Sequence, residues 1–153
     1  LIRPDRARRA DGLTLIELVV VLAVLATVTA FAVPSIRRGS EGLQLRASAG
    51  RVASLLREAR QQAVTRRRPT RVTFGANHRS VALAWDGSDE PLRRVELPDR
   101  FRLEARSGGE ALTFSPRGLV RDASWVVEAP GGRRLVVEVH GVTGRVAVAA
   151  PAP

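Results

Sequence analysis

The 153-residue sequence predicts an α+β protein in which one long N-terminal helix, half membrane-spanning and half amphipathic, packs on an antiparallel β-sandwich-like domain. Three patterns predict it. An apolar run over residues 13–33 is interrupted by a single full charge, Glu17. From Leu43 onward, Leu45, Ala49, Val52, Leu56, Ala59 and Ala63 recur three or four apart, the period of a helix with one apolar face. After Pro69 the pattern changes to short β-like runs divided by turns rich in Gly, Pro and Ser.

Residues 1–12 form a leader in which Arg3, Arg6, Arg8 and Arg9 alternate with Asp5 and Asp11. The run 13–33 is about 21 residues, about 30 Å as a helix, which is the thickness of a bilayer core. It is long enough to span a membrane. The positive-inside rule keeps the leader cytoplasmic, although Arg37 and Arg38 make the other flank basic as well. Glu17 would cost on the order of 3 kcal/mol at the bilayer centre, but one turn into a helix it faces the positive end of the dipole. Two plainer readings compete. Thr14-x-x-Glu17 is also a capping box. The basic leader, the apolar run and Ala30-Phe31-Ala32 together imitate a secretory signal peptide, although the run is long for one and carries Glu17 near its start. No Met occurs, at position 1 or elsewhere, so a non-standard start codon or a trimmed sequence is expected.

Residues 34–68 read as a kink followed by the amphipathic helix. Pro34 removes one backbone hydrogen bond and crowds the preceding turn, so a kink is expected there; the other reading ends the helix at Gly39 and Gly42. Arg46, Arg51, Arg57, Glu58, Arg60 and Gln61 occupy the polar face. The apolar face is expected to bury against the domain downstream. The rival is a helix lying on a membrane surface, weakened because Ala and Val dominate over Leu and Phe. Arg66-Arg67-Arg68-Pro69 ends the helix. The β-domain, 69–150, is expected to hold strands at 71–74, 81–85, 92–97, 101–105, 111–114, 124–128, 135–139 and 145–148, the first two joined as a hairpin through 75–80. Residues 151–153 are a tail.

Composition narrows the function classes. There are 25 basic residues against 15 acidic ones, a formal net charge of +10, which by itself suggests an anionic partner. Every basic residue is Arg, and a choice that exclusive reads as compositional bias with a solvated basic surface. With no cysteine there is neither a disulfide framework nor a thiolate. His78 and His140 are the only histidines, and neither Gly-x-Ser-x-Gly nor Gly-x-x-x-x-Gly-Lys occurs. No catalytic residue, cofactor or metal ligand set is therefore expected. The acidic loop 86–90 offers oxygen ligands for calcium, but such turns are usually solvated.

The stretch Gly12-Leu13-Thr14-Leu15-Ile16-Glu17 and the apolar run after it resemble the class III signal sequence of type IV pilins and type II secretion pseudopilins. That resemblance implies cleavage by a prepilin peptidase between Gly12 and Leu13, N-methylation of Leu13, and a role for Glu17, fifth in the mature chain, in meeting the N-terminal amine of a neighbouring subunit during assembly. Phe114-Ser115-Pro116-Arg117-Gly118 and Val142-Thr143-Gly144-Arg145-Val146 are turns first, since Pro at the second place with Gly at the fourth suits a type I turn and Thr-Gly a tight hairpin. They also resemble the two turn motifs of the GspH/FimT-like family, the H-type minor pseudopilins and their type IV pilus relatives. The resemblance implies a pseudopilin fold and a structural, non-enzymatic subunit of the type II secretion pseudopilus, which helps move folded periplasmic proteins across the outer membrane. Implied partners are the prepilin peptidase, other minor pseudopilins, the major pseudopilin and the inner-membrane assembly platform. The implied location is a single pass through the inner membrane of a Gram-negative bacterium, with the C-terminal domain periplasmic. The alternative is a FimT-like minor pilin that binds DNA for uptake, for which Arg133, Arg134 and Arg145 beside the C-terminal hairpin would be the working residues. That subgroup's basic motif would put a second Arg where this chain has Ala147, and with 4% aromatic residues few platforms exist for stacking bases, so nucleic acid is not the expected partner.

Overall fold

A computed structural model describes residues 14–151, with side-chain surroundings for all of these except 30–39. The chain divides into two compact units, Leu1–Gly39 and Ser40–Pro153, and a single helix, α1 (Leu15–Arg66), contributes to both. The helix is continuous through Pro34, Gly39 and Gly42, so it does not end at the two glycines. The kink expected at Pro34 lies among residues whose side chains are outside those described.

In the first unit the apolar residues of α1 leave no polar face. Leu15, Ile16, Leu18, Val19, Val20, Val21, Leu22, Val24, Leu25 and Val28 are all exposed, which around a 3.6-residue period covers every side of the helix. The Thr27 hydroxyl donates to the Ala23 carbonyl at 2.8 Å and the Thr29 hydroxyl to that of Leu25 at 2.7 Å, so neither needs an outside partner. Among the described residues no helix is long and apolar enough to cross a membrane. Leu13 and the surroundings of residues 30–33, which complete the run, lie outside the description.

The second unit is built on the remainder of α1. Leu45, Ala49, Val52, Leu56, Ala59 and Ala63 are buried, as the helical period predicts, and so are Ser48, Ala53 and Leu55. The buried face is therefore wider than one stripe. The residues covering it are two four-stranded antiparallel sheets. The first, in the order β3 (Pro91–Glu96), β2 (Ser80–Trp85), β1 (Thr70–Phe74), β5 (Ala111–Phe114), turns Val72, Val81, Leu83, Leu112 and Phe114 inward. The second, in the order β4 (Arg102–Ser107), β6 (Ala123–Glu128), β7 (Arg134–His140), β8 (Arg145–Ala149), turns Leu103, Trp125, Val127, Val137, Val139 and Val146 inward. Strict alternation along β6 is the two-residue period of a half-buried strand. Helix and both sheets contribute to one apolar core.

Every expected strand is present, with ends displaced by at most two residues. Phe101, expected to open β4, instead sits in the preceding turn, where its N–H donates to the Pro98 carbonyl at 2.8 Å and its ring is buried. The β1–β2 hairpin forms with Phe74 opposite Val81.

Polar contacts clip the helix to the sheets along its length. The Gly131 N–H in the β6–β7 turn donates to Glu41 Oε1 at 3.0 Å. Beside it Gly42 leaves room for the Arg133 guanidinium, which a Cβ there would meet at 2.8 Å. Arg93 of β3 pairs with Glu58 at 2.5 Å, and Arg57 donates to the Val146 carbonyl at 3.3 Å. Thr70, fully buried at the start of β1, satisfies its hydroxyl on the Ala59 carbonyl at 2.9 Å. The helix ends where the Arg68 N–H reaches back to the Ala63 carbonyl at 3.2 Å across Arg67, whose φ of 51° does the work usually given to glycine in such a cap. Pro69 then prevents continuation.

Trp125 is the largest fully buried side chain. It meets Phe74 of the other sheet edge to face, with ring centroids 4.4 Å apart, and donates its indole N–H to the Gly109 carbonyl at 3.0 Å. Trp125→Ala should cost about 3–5 kcal/mol of unfolding free energy, with Trp125→Phe losing less because the ring contact survives while the hydrogen bond does not. Urea denaturation followed by circular dichroism measures both; equal losses would mean the ring contact contributes nothing.

Candidate functional site

Two places concentrate the sequence motifs, one in each unit. At the start of α1, Gly12 and Leu13 lie outside the described residues. Thr14 is the N-cap: its Oγ1 accepts from the Glu17 N–H at 3.3 Å and its carbonyl accepts from the Leu18 N–H at 3.2 Å. The capping reading is thus half realised. The Glu17 carboxylate itself makes no bond among the described residues, and it lies in the first turn of a helix that is otherwise apolar there.

In the second unit the two turn motifs meet. Ser115-Pro116-Arg117-Gly118 closes with the Gly118 N–H on the Ser115 carbonyl at 2.8 Å, and the Leu119 N–H bonds to Ser115 Oγ at 3.1 Å. The β7–β8 turn closes with the Gly144 N–H on the His140 carbonyl at 2.7 Å. The two loops are joined by the Val120 N–H on the Gly141 carbonyl at 3.3 Å and the Gly141 N–H on Asp122 Oδ1 at 2.7 Å. Beneath them runs the Arg60 side chain of α1. Gly144, with φ at 61°, has no room for a side chain: a Cβ would lie 2.5 Å from Arg60 Nε and 2.6 Å from the Gly118 carbonyl oxygen. At Gly118, with φ at 77°, a Cβ would come within 3.1 Å of Val64 and 3.2 Å of Arg60 Nε. The glycines are therefore demanded twice, by backbone conformation and by close approach. The sequence shows each turn, but nothing in it announces that they share Arg60, because sheet order decides that.

The arginines expected to act together in DNA binding are not together. Arg134 opens β7 and is paired with Glu128 at 3.0 Å, whereas Arg145 lies opposite His140 at the strand's other end. At about 3.3 Å per residue the length of β7 separates them by about 20 Å. Arg133 sits with Arg134 at the Gly42 end. In the loop 86–90, Asp86 faces Arg71 at 2.7 Å in a contact that lacks hydrogen-bond geometry, and among the described residues no group of His, Asp and Glu could hold a metal ion.

Known proteins place this architecture. Residues 7–33 match the prokaryotic N-terminal methylation motif, and residues 48–143 match the family described as type II transport protein GspH. Among solved structures, the type IV minor pilin FimU of Pseudomonas aeruginosa (strain PAO1) is 20% identical, covering 73% of this chain and 92% of that one with a TM-score of 0.61. The minor pseudopilin EpsH from the type 2 secretion system of Vibrio cholerae is 16% identical, covering 72% and 99% with a TM-score of 0.57. At those identities the likeness is one of fold. No curated protein matches.

Gly144→Ala should destabilise the second unit by on the order of 2 kcal/mol. Adding Arg60→Ala should recover only part of that, since the clash with the Gly118 carbonyl and the backbone strain remain. Thermal melts of the two single variants and the double variant test this; full recovery would mean Arg60 alone excludes the side chain. With the motifs, the two-sheet architecture and a family match over more than half of its length, the chain belongs to the GspH family of type II transport proteins.

Proposed function

We propose that this protein is a minor pseudopilin, a structural subunit of the type II secretion pseudopilus without catalytic activity of its own, which helps move folded periplasmic proteins across the outer membrane. One observation carries the proposal: an N-terminal methylation motif and an apolar helix bearing Glu17, which has no partner among the described residues, are joined in one chain to a GspH-type domain. In this reading 1–12 is the leader, 13–33 the transmembrane and assembly segment, 34–68 the kink and amphipathic helix, and 69–150 the β-domain. Prepilin peptidase cuts between Gly12 and Leu13 and methylates Leu13. The protein then rests in the inner membrane as a single pass, with its β-domain in the periplasm, until the assembly platform brings it together with the major and other minor pseudopilins.

The chemistry of the first turn supports this sequence of events. Cleavage removes four leader arginines and frees an amine at the head of an apolar helix. Glu17 of one subunit and the amine of the next would offset one another's desolvation in an apolar layer that tolerates neither alone. The DNA-uptake alternative gains no comparable support, because its candidate arginines stand at opposite ends of β7.

The mature chain should begin with N-methylated Leu13, read by mass spectrometry of the N-terminal peptide; a start at Val33 would mean an ordinary signal peptidase substrate and end the assembly reading. Glu17→Ala should leave membrane insertion and the β-domain intact while lowering the amount recovered in sheared pseudopili at least tenfold. Normal recovery would remove the proposed ion pair.

A further inference from the structure

Val142 is a β-branched apolar residue at the tip of a turn, a place that favours Gly, Asn, Asp, Ser or Pro, and it is 86% exposed. The turn does not need it. Leu119 and Val64, each 45% exposed, belong to the same end of the domain. Leu119 follows Gly118, whose missing Cβ would touch Val64, and the Val142 loop is bonded to Val120 through the Gly141 carbonyl. Scattered single apolar residues on a surface mean little, but a group of them with a polar rim marks a contact surface.

The rim is cationic. Arg60, Arg117 and Arg145 have no acidic partner among the described residues, whereas Arg71, Arg79, Arg93 and Arg134 are each paired with an acid. Asp122, the acid that borders this end, has Oδ1 committed to the Gly141 N–H. Beside Val142 a cleft of about 400 Å³ is lined by Asp122, His140, Gly141, Val142, Thr143 and Arg145. Buried Gly118 and Gly144 and the loop-to-loop bonds hold the two turns in fixed relation, so the surface is formed before anything binds it.

We infer that this end of the β-domain, where the turns around Gly118 and Gly144 meet over Arg60, is a docking surface for an acidic segment of another protein that presents an aliphatic side chain to Val142. Charge complementarity selects that occupant. A second copy of this chain would set arginines against arginines. A nucleic acid would meet aliphatic residues where stacking needs aromatic ones. A lipid surface is better served by Trp, Phe and Leu on a helix than by one valine beside a cleft. The inference uses no residue before Arg60 and so stands or falls separately from the proposed function.

The test uses the full-length chain in its host with a diazirine amino acid in place of Val142. After irradiation, mass spectrometry should find the cross-link on a single protein, in a peptide with net negative charge. Arg117→Glu combined with Arg145→Glu should lower the cross-link yield at least tenfold, whereas Arg100→Glu, exposed elsewhere on the domain, should leave it unchanged. Changing the acids of the cross-linked peptide to arginine should restore the yield with the reversed variant. A cross-link to a second copy of the chain, to DNA, to lipid or to an uncharged or basic peptide would overturn the inference. So would the absence of any cross-link, or a yield indifferent to the reversal.

Discussion

Close packing of small side chains along α1 is the constraint on which the second unit depends. Ala49, Val52, Ala53, Leu56, Ala59 and Ala63 are all completely buried, and five of the nine residues on that face are Ala or Ser. Small residues let the sheets approach the helix closely, and the polar clips at Glu58, Ala59 and Arg57 fix where along the helix they do so. Because this face is consumed by the chain's own sheets, it is not available to a membrane surface. The apolar residues of 15–28, by contrast, are covered by nothing in their own unit.

Most of the fold was legible because each element carries its own period. Strands alternate in steps of two between turns whose Gly and Pro positions are conspicuous, and the helical stripe recurs at three and four. What escaped was long-range. A single stripe does not reveal that Ser48, Ala53 and Leu55 are buried too, since that depends on how far two sheets wrap the helix. Gly42 reads as a helix breaker, yet the helix passes through it and its bare Cα admits Arg133 from the β6–β7 turn some ninety residues away. The grouping of Arg133, Arg134 and Arg145 failed for a related reason: residues flanking one hairpin in sequence lie at its two ends when the strand between them is seven residues long.

The arginine excess also takes on a definite shape. Some arginines balance acids, as Arg71, Arg79, Arg93 and Arg134 do, and some support the fold. Arg68 lies 5.2 Å over the Trp85 ring, Arg121 donates to the Ala111 carbonyl, and Arg67 holds a left-handed cap. A formal charge of +10 is thus not a uniform coat but a distribution with structural uses in some places and unpaired charge in others.

The clip between Glu41 and the Gly131 N–H has a mechanical meaning. Tension entering the second unit at Ser40 would meet this bond before any apolar contact, since Leu45 is the first buried side chain of the helix there. The bond is exposed, so it can yield and re-form while the core beyond Leu45 stays closed. A load on the helix at this point is therefore taken up by an exposed polar contact before it reaches the packing against the sheets.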